Sequence, residues 1–246
     1  MNSWLATGES NFPEKGSLYV WRISLLAKDE YLGQLYQLLS EEEQRRVERF
    51  RFVRHRRRFT VARTSLRTIL ARILGCRPEE VRFVYNQWGK PDLAQSCNHL
   101  KLKFNISRSH EIALLVISRD REVGIDIEWL LQHPGDFDTL AKRFFAPEEY
   151  KQLRLLPESE RLEGFFRFWT RKEALVKAVG TGLTIPLKQI IVNLNDQPIR
   201  LHRNQREQLG WYLYHLVPCS GYIGTVASHG PSCTLHIQEW MAENSE

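Results

Sequence analysis

The chain has 246 residues, 42% hydrophobic and 26% charged, with a net charge of +6. This composition is typical of a globular protein, and no apolar run approaches the roughly 18 residues of a transmembrane helix. The N-terminus lacks the basic start and apolar block of a signal peptide. The cysteines at positions 76, 97, 219 and 233 lack the spacing of a disulfide framework or zinc site, so we expect reduced thiols in a cytoplasmic protein.

The first predicted elements are a strand over residues 18–25 and a long helix that begins at Ser40. Ser40 and Glu43 form a capping box, which satisfies free backbone donors at a helix start. Apolar residues then recur at three- and four-residue spacing to Leu74, and Gly75 is a natural helix stop. Arginine is concentrated between positions 45 and 72, mostly on the opposite face. This charge indicates an anionic partner: nucleic acid, a polyphosphorylated small molecule or an acidic protein.

Strands and helices then follow without regular alternation. Strands are predicted over residues 81–85, 103–106, 112–117 and 123–128, and helices over 138–144, 147–155 and 160–179. The remaining predicted strands cover residues 189–193, 211–217, 221–228 and 234–238. This order predicts an α+β fold rather than a doubly wound sheet.

The segment from Gly124 to Glu128 carries two acids at alternate positions of a predicted strand. Ile125 and Ile127 would face one side, while Asp126 and Glu128 face the other about 7 Å apart. A divalent cation relieves the repulsion of such a pair, and carboxylate oxygens suit Mg²⁺. A half-buried strand with a solvated acidic face is the alternative.

Two other segments carry polar groups that could act in chemistry. On the predicted helix 160–179, Trp169, Glu173 and Lys177 fall at four-residue steps and share one face, as a simple surface ion pair also would. Residues 104–110 collect Asn, Ser, Arg and His side chains that could bind a phosphate, or belong to a solvated loop.

The combination of motifs is more specific than any one of them. Gly-Lys-Pro at 89–91, Phe-Asn-Ile-Ser at 104–107, Gly-Ile-Asp-Ile-Glu at 124–128 and Trp-x-x-Lys-Glu-Ala-x-x-Lys-x-x-Gly-x-Gly-Leu at 169–183 occur in this order. From about residue 40 to 187 the chain resembles the Sfp-type 4'-phosphopantetheinyl transferases. The resemblance implies an α+β fold of two similar α/β halves about a pseudo-twofold axis, residues 1–120 and 121–246, with the active site in the cleft between them.

The resemblance also implies the reaction and its residues. Phosphopantetheine would pass from coenzyme A to a carrier-protein serine, with release of adenosine 3',5'-bisphosphate, as in holo-[acyl-carrier-protein] synthases. The matching metal ligands, for Mg²⁺ or Mn²⁺, are Asp126, Glu128 and Glu173. Glu173 is the expected base, directly or through a metal-bound water, and Lys177 is expected to neutralise or protonate the leaving phosphate.

The positions that match the coenzyme A-binding residues of the family all lie in the first half. They are Arg46, Arg58, Gly89, Lys90, Pro91, Asn105, Ser107 and Arg108. The family commonly has histidine where this chain has Arg108, and His110 follows two residues later, so either side chain could contact the phosphate. A guanidinium can bind phosphate with two hydrogen bonds.

The expected partners are coenzyme A and acidic apo carrier proteins of fatty-acid, polyketide or peptide synthesis. The segment from Trp129 to Leu131 could touch the carrier. We expect a monomer that binds neither nucleic acid nor membrane. A nucleic-acid-binding protein is the main alternative, but it explains only the arginines. A non-catalytic relative that binds coenzyme A or the carrier is the second.

Overall fold

The computed structural model describes residues 5–6, 13–131, 135–182, 186–194, 199–203 and 206–242. The N-terminal residues 1–4 and 7–12, for which the sequence predicted no signal peptide, lie outside these ranges. So does Leu183 of the last motif. The helices are α1 Asp29–Gln37, α2 Glu41–Glu48, α3 Val53–Leu74, α4 Phe137–Phe144, α5 Pro147–Leu155 and α6 Glu158–Val179. The strands are β1 Leu5–Ala6, β2 Ser17–Ser24, β3 Phe83–Tyr85, β4 Pro91–Leu93, β5 Leu102–Ser109, β6 Ile112–Arg119, β7 Val123–Trp129, β8 Ile199–Arg203, β9 Arg206–Leu216, β10 Tyr222–His229 and β11 Thr234–Trp240.

Two sheets carry the fold. The first has the order β1-β11-β2-β6-β5, and the second has the order β7-β10-β9-β8. In the first, β2, β6 and β5 are antiparallel neighbours, and in the second β7, β10 and β9 are. In each trio, two short helices and a 22-residue helix lie in the chain between the first strand and the other two. The last strand, β11, pairs in parallel with β2, so the end of the chain completes the first sheet.

Three apolar clusters show how the layers stack. One lies between α3 and the first sheet and includes Tyr19, Trp21 and Leu66. Another lies between the two sheets and includes side chains of β2, β6, β7 and β10. The third lies between α6 and the second sheet. The layers therefore follow the order helix, sheet, sheet, helix, with β5 and β7 meeting along the edges of the two sheets.

The prediction of one long helix is wrong in one respect, because the segment forms two helices. α2 ends at Glu48, and α3 begins at Val53 after Phe52 adopts an extended conformation (φ −102°, ψ 133°). The turn lets Phe50 pack against Phe59, with ring centroids 5.5 Å apart. The predicted stop at Gly75 is confirmed, since it caps α3 with φ 68°.

The predicted strand over residues 189–193 is also wrong. Leu187–Gln189 forms a 3₁₀ helix, and the following backbone binds buried side chains instead of a neighbouring strand. Lys172 donates to the Ile190 carbonyl, and the Val192 amide donates to Glu149. Helix α1 and the strands β1, β4 and β8 were not predicted. Among the described helices, none combines the length and the hydropathy needed to cross a membrane.

Candidate active site

Alternate side chains of β5 connect the two sheets. Asn105 is buried, and its side-chain oxygen accepts a hydrogen bond of 2.9 Å from the Ile125 amide. Ser109 donates to Glu128 at 3.0 Å and accepts from the Trp129 amide at 3.0 Å. Because strand side chains alternate between faces, these residues all point from β5 towards β7. They fix the strand that carries the acidic motif.

Ser107, Asp126 and Lys177 form a compact polar junction at the centre of this seam. The Asp126 Oδ1 atom accepts from Lys177 at 2.5 Å and from Ser107 at 3.0 Å, and Lys177 also lies 2.8 Å from the Ser107 hydroxyl. Burial raises the pKa of Asp126, and the adjacent Lys177 opposes this only in part. The second oxygen, Oδ2, is buried and has no hydrogen-bond partner among the described residues.

Gly124 explains how α6 reaches this junction. A Cβ atom at this position would overlap the Ala174 carbonyl oxygen and the Ala178 backbone nitrogen, and would lie 2.8 Å from the Ala178 Cα. The helix backbone therefore rests directly on strand β7. This contact brings Glu173 and Lys177 over Asp126, and it gives a physical reason for the glycine of the Gly-Ile-Asp-Ile-Glu motif.

Burial, and then the charge of Asp126, raises the pKa values of the other two acids of the motifs. Burial, then the charge of Asp126, raises the pKa of Glu128 to about 7. Burial and Asp126 also raise the pKa of Glu173. No three acidic, histidine or cysteine side chains in the described ranges are already arranged as ligands of one metal ion. The donor chemistry nevertheless fits a hard cation, because Asp126 presents a buried, unpaired carboxylate oxygen and its charge raises the pKa values of Glu128 and Glu173.

A cavity of about 780 Å³ opens beside Ser107. Its basic side is made by Arg46 and Arg108, whose guanidinium carbons lie 5.2 and 5.7 Å from the ring centroid of Phe59. Within the described ranges, neither arginine has an acidic partner. Burial and then the charges of Arg46 and Arg58 lower the pKa of Arg108. Four arginines and two glutamates line the cavity, so its net charge is positive. A positively charged lining suits an anionic ligand. The cavity is also lined by Arg49, Tyr85, Gly89, Pro91 and Ile106.

The other predicted binding residues lie in different surroundings. Lys90 turns away from this cavity and donates to the Ala178 carbonyl at 2.9 Å, near the end of α6. Arg58 lies 3.7 Å from Glu111. His110 stacks on Trp129 with ring centroids 4.0 Å apart and does not line the cavity. Of the two alternatives for phosphate contact, only Arg108 lies at the cavity.

The ion pairs of two buried glutamates, Glu43 at the cavity and Glu149 on α5, were not predicted. Glu43 forms ion pairs with Arg63 and, at 2.7 Å, with Arg67; burial opposes its charge, but the arginines outweigh burial and lower its pKa. Glu149 pairs with Lys172 at 2.6 Å, and both side chains are almost completely buried. Glu43 was recognised only as a helix cap, and no pattern in sequence separates the buried arginines from the exposed ones.

Comparison with known proteins agrees with this geometry. Residues 27–120 match the family model "4'-phosphopantetheinyl transferase, N-terminal", and residues 122–227 match "4'-phosphopantetheinyl transferase superfamily". The 4'-phosphopantetheinyl transferase HetI of Nostoc sp. is 38% identical over 93% of this chain and 94% of its own length. A 4'-phosphopantetheinyl transferase of Bacillus subtilis is 31% identical over 64% of this chain and 67% of its own.

More distant matches extend to animals and to a solved structure. The human L-aminoadipate-semialdehyde dehydrogenase-phosphopantetheinyl transferase is 29% identical over 68% of this chain and 56% of its own. The crystal structure of Thermotoga maritima holo-[acyl-carrier-protein] synthase has a TM-score of 0.32 and 18% identity, over 44% of this chain and 62% of its own. At that TM-score the likeness carries no weight.

The two family models and the near full-length relative establish the family that the motifs predicted. The chain belongs to the 4'-phosphopantetheinyl transferase family and is a transferase of that type.

Proposed function

We propose that this protein transfers the 4'-phosphopantetheine moiety of coenzyme A to a serine hydroxyl of an apo carrier protein. The observation that carries the proposal is the position of Ser107. This residue lines the arginine cavity and also hydrogen-bonds Asp126 and Lys177. A phosphorylated ligand in the cavity would therefore lie next to the acidic groups and the lysine.

Coenzyme A is the co-substrate in this proposal, and its phosphates would bind the basic side of the cavity. Arg46 and Arg108 provide unpaired guanidinium groups, which bind phosphate with charge-assisted hydrogen bonds. Ser107 would complete the phosphate contacts, while Gly89 and Pro91 form the neighbouring wall. Arg58, which lies near Glu111 outside the lining, would add positive charge beside Arg108. Because the amine of Lys90 is bound to a carbonyl of α6, and the amide of Asn105 to β7, we assign these two a positioning role.

Asp126, Glu128 and Glu173 are the proposed ligands for Mg²⁺, with Mn²⁺ as a substitute. When bound, the cation would polarise the pyrophosphate of coenzyme A and neutralise charge on the departing phosphate. The support comes from the chain itself: an unpaired buried oxygen on Asp126 and two further carboxyl groups with raised pKa values.

The transfer needs a base near the serine hydroxyl and a positively charged side chain near the reacting phosphorus. Glu173 is the proposed base, acting directly or through a metal-bound water: burial and the charge of Asp126 raise its pKa, which makes its carboxylate a better proton acceptor, and it would take the proton of the serine hydroxyl. The serine oxygen then forms a bond to phosphorus as the bond to the 5'-phosphate oxygen breaks. Lys177 would neutralise or protonate that oxygen on adenosine 3',5'-bisphosphate.

We further propose that residues 1–120 and 121–246 are halves related by a pseudo-twofold axis. The matching strand order of β2-β6-β5 and β7-β10-β9 supports this, although β11 of the second half lies in the first sheet. A monomer supplies both sides of the cleft. The free thiols of the described cysteines agree with a reaction in the reducing cytoplasm. We propose neither nucleic acid nor membrane as a partner.

The direct experiment is the intact mass of an apo acyl carrier protein after incubation with this protein, Mg²⁺ and coenzyme A. We expect a gain of one phosphopantetheine arm that disappears with a chelator. Glu173→Ala should lower the rate at least about 100-fold. The exposed Glu163 lies on the same helix, and Glu163→Ala is the matched control that should retain the rate. No gain with several unrelated carriers would refute the proposal.

A further inference from the structure

Most of the arginines in the basic run have partners within the molecule. Arg45 pairs with Glu41 at 3.2 Å, and Arg57 pairs with Asp29 at 2.7 Å. As described above, Glu43 binds two arginines of α3, and others lie at the cavity. The charge of the run is therefore divided between internal ion pairs, the cavity and a remaining exposed part.

The remaining part surrounds the start of α3. Arg49, Arg51 and Arg54 are exposed and pair with no acid in the described ranges. Next to them in sequence, Phe52 and Val53 are 48% and 66% exposed. Arg51 and Arg54 lie 5.5 and 5.3 Å from the centroid of the Phe52 ring. We call these five residues the arginine–aromatic patch.

The backbone adds to the positive charge of this patch. Helix α3 has no acidic residue in its first turn, and its N-cap residue, Phe52, makes no side-chain cap hydrogen bond. Free amide groups at a helix start attract negative charge, and here no side chain satisfies that preference. The patch thus combines exposed apolar area with uncompensated positive charge, the composition of an interface centre with arginine and aromatic anchors.

The patch is continuous with the cavity. A row of aromatic rings joins them, with centroids 5.6 Å apart for Phe52 and His55 and 6.4 Å apart for His55 and Phe50. The centroids of Phe50 and Phe59 lie 5.5 Å apart. Phe59 lines the cavity, and so does Arg49 of the patch itself. A macromolecule that covers the patch would therefore lie at the rim of the proposed coenzyme A cavity.

We propose that the arginine–aromatic patch docks an acidic helix of the carrier domain, with an apolar side chain of that helix seated on Phe52 and Val53. The proposal rests on the proposed function, which makes a carrier domain the macromolecular substrate. Carboxylates on the helix would face Arg51 and Arg54, and their attraction would speed the encounter. This surface is distinct from the segment around Leu131, which is also exposed.

Equilibrium binding tests the proposal independently of catalysis. The probe is a fluorescently labelled acyl carrier domain whose acceptor serine is replaced by alanine, measured by anisotropy with the full chain. Arg54→Glu and Phe52→Ser should each weaken binding about tenfold. Both variants should fold, because an acid in the first turn and a serine N-cap each favour a helix start. The control is Lys151→Glu, which reverses an exposed charge on α5 and should change affinity less than twofold.

Added salt should reduce the difference between wild type and Arg54→Glu. Equal affinity of wild type, Arg54→Glu and Phe52→Ser for the carrier domain would overturn the proposal. So would loss in Arg54→Glu of binding to phosphatidylglycerol vesicles or to duplex RNA while carrier binding stays unchanged. Intact-mass assays run in parallel report on transfer itself, so a failure of the proposed function would be seen separately from a failure of the docking surface.

Discussion

The two long helices have the same length and the same ending, but they contact their sheets differently. α3 and α6 both span 22 residues and end at a left-handed glycine, Gly75 and Gly180. α3 packs on large side chains of β2, such as Tyr19 and Trp21, within one apolar cluster. α6 instead lies with its backbone against β7 at Gly124.

This difference shows how two similar pairs of a helix and a sheet can carry the polar junction in only one of them. Large apolar side chains such as Tyr19 and Trp21 fill the space between α3 and the first sheet. On the other side of the molecule, the close backbone approach lets short acidic and long basic side chains meet, as Lys177 and Asp126 do at 2.5 Å. The polar junction is therefore a consequence of a glycine in the strand.

Gly124→Ala is expected to have the largest effect on this arrangement. The new methyl group would meet helix backbone rather than a movable side chain, so α6 must shift. We expect a loss of about 3 kcal/mol or more in the free energy of unfolding. Urea denaturation measures it. Gly33→Ala in α1 is the matched control, since nothing lies near its Cβ, and it should stabilise the protein by about 0.5–1 kcal/mol. Comparable stability of Gly124→Ala and wild type would remove the close approach from the explanation.

The buried glutamates offer a second comparison of the two regions. Glu43 in α2 and Glu149 in α5 each cap the start of a short helix and bind a basic residue of the following long helix. Glu149→Gln should cost about 3 kcal/mol, because it leaves the completely buried Lys172 without a counter-charge. Adding Lys172→Met to this variant should recover most of the lost stability. Thermal or urea unfolding of the single and double variants checks this, and an undiminished loss in the double variant would contradict it.

The smallest expected effect is that of Glu128, which should make the free energy of unfolding depend on pH. Its pKa is about 7 in the folded protein against an ordinary value of 4.5, so the folded state holds this proton more tightly than the unfolded state does. The contribution of Glu128 to the free energy of unfolding is therefore fully present below about pH 4.5 and is lost as pH rises through 7, by on the order of 2 kcal/mol. Unfolding of metal-free protein at several pH values measures it. In Glu128→Gln the slope between pH 5 and 8 should be shallower, and an identical slope would contradict the assignment.

Much of this arrangement could be predicted from the sequence, and the failures have physical causes. The alternation of Ile125, Asp126, Ile127 and Glu128 was enough to predict one apolar and one acidic face, because a strand has a fixed period of two. The break between α2 and α3 was missed because apolar spacing continues through it, whereas the turn is stabilised by packing of Phe50 on Phe59.

Contacts between distant segments were the part that could not be predicted. Lys90 was expected at a phosphate because of its motif, and this stays a prediction; its hydrogen bond to the Ala178 carbonyl near the end of α6 depends on the β3–β4 turn and could not be predicted from the motif. The pairing of Glu149 with Lys172 joins two helices, and no local pattern reports it. Such contacts depend on tertiary packing rather than on periodicity.

The position of β11 has a consequence for how the chain folds during synthesis. β11 lies between β1 and β2, so the first sheet lacks one of its inner strands until residue 240 has been made. Until then the edge of β2 presents unpaired amide and carbonyl groups, which can pair with another chain. A nascent chain stalled before β11 should therefore aggregate more readily than the finished protein, although the residues of its proposed active site are already present.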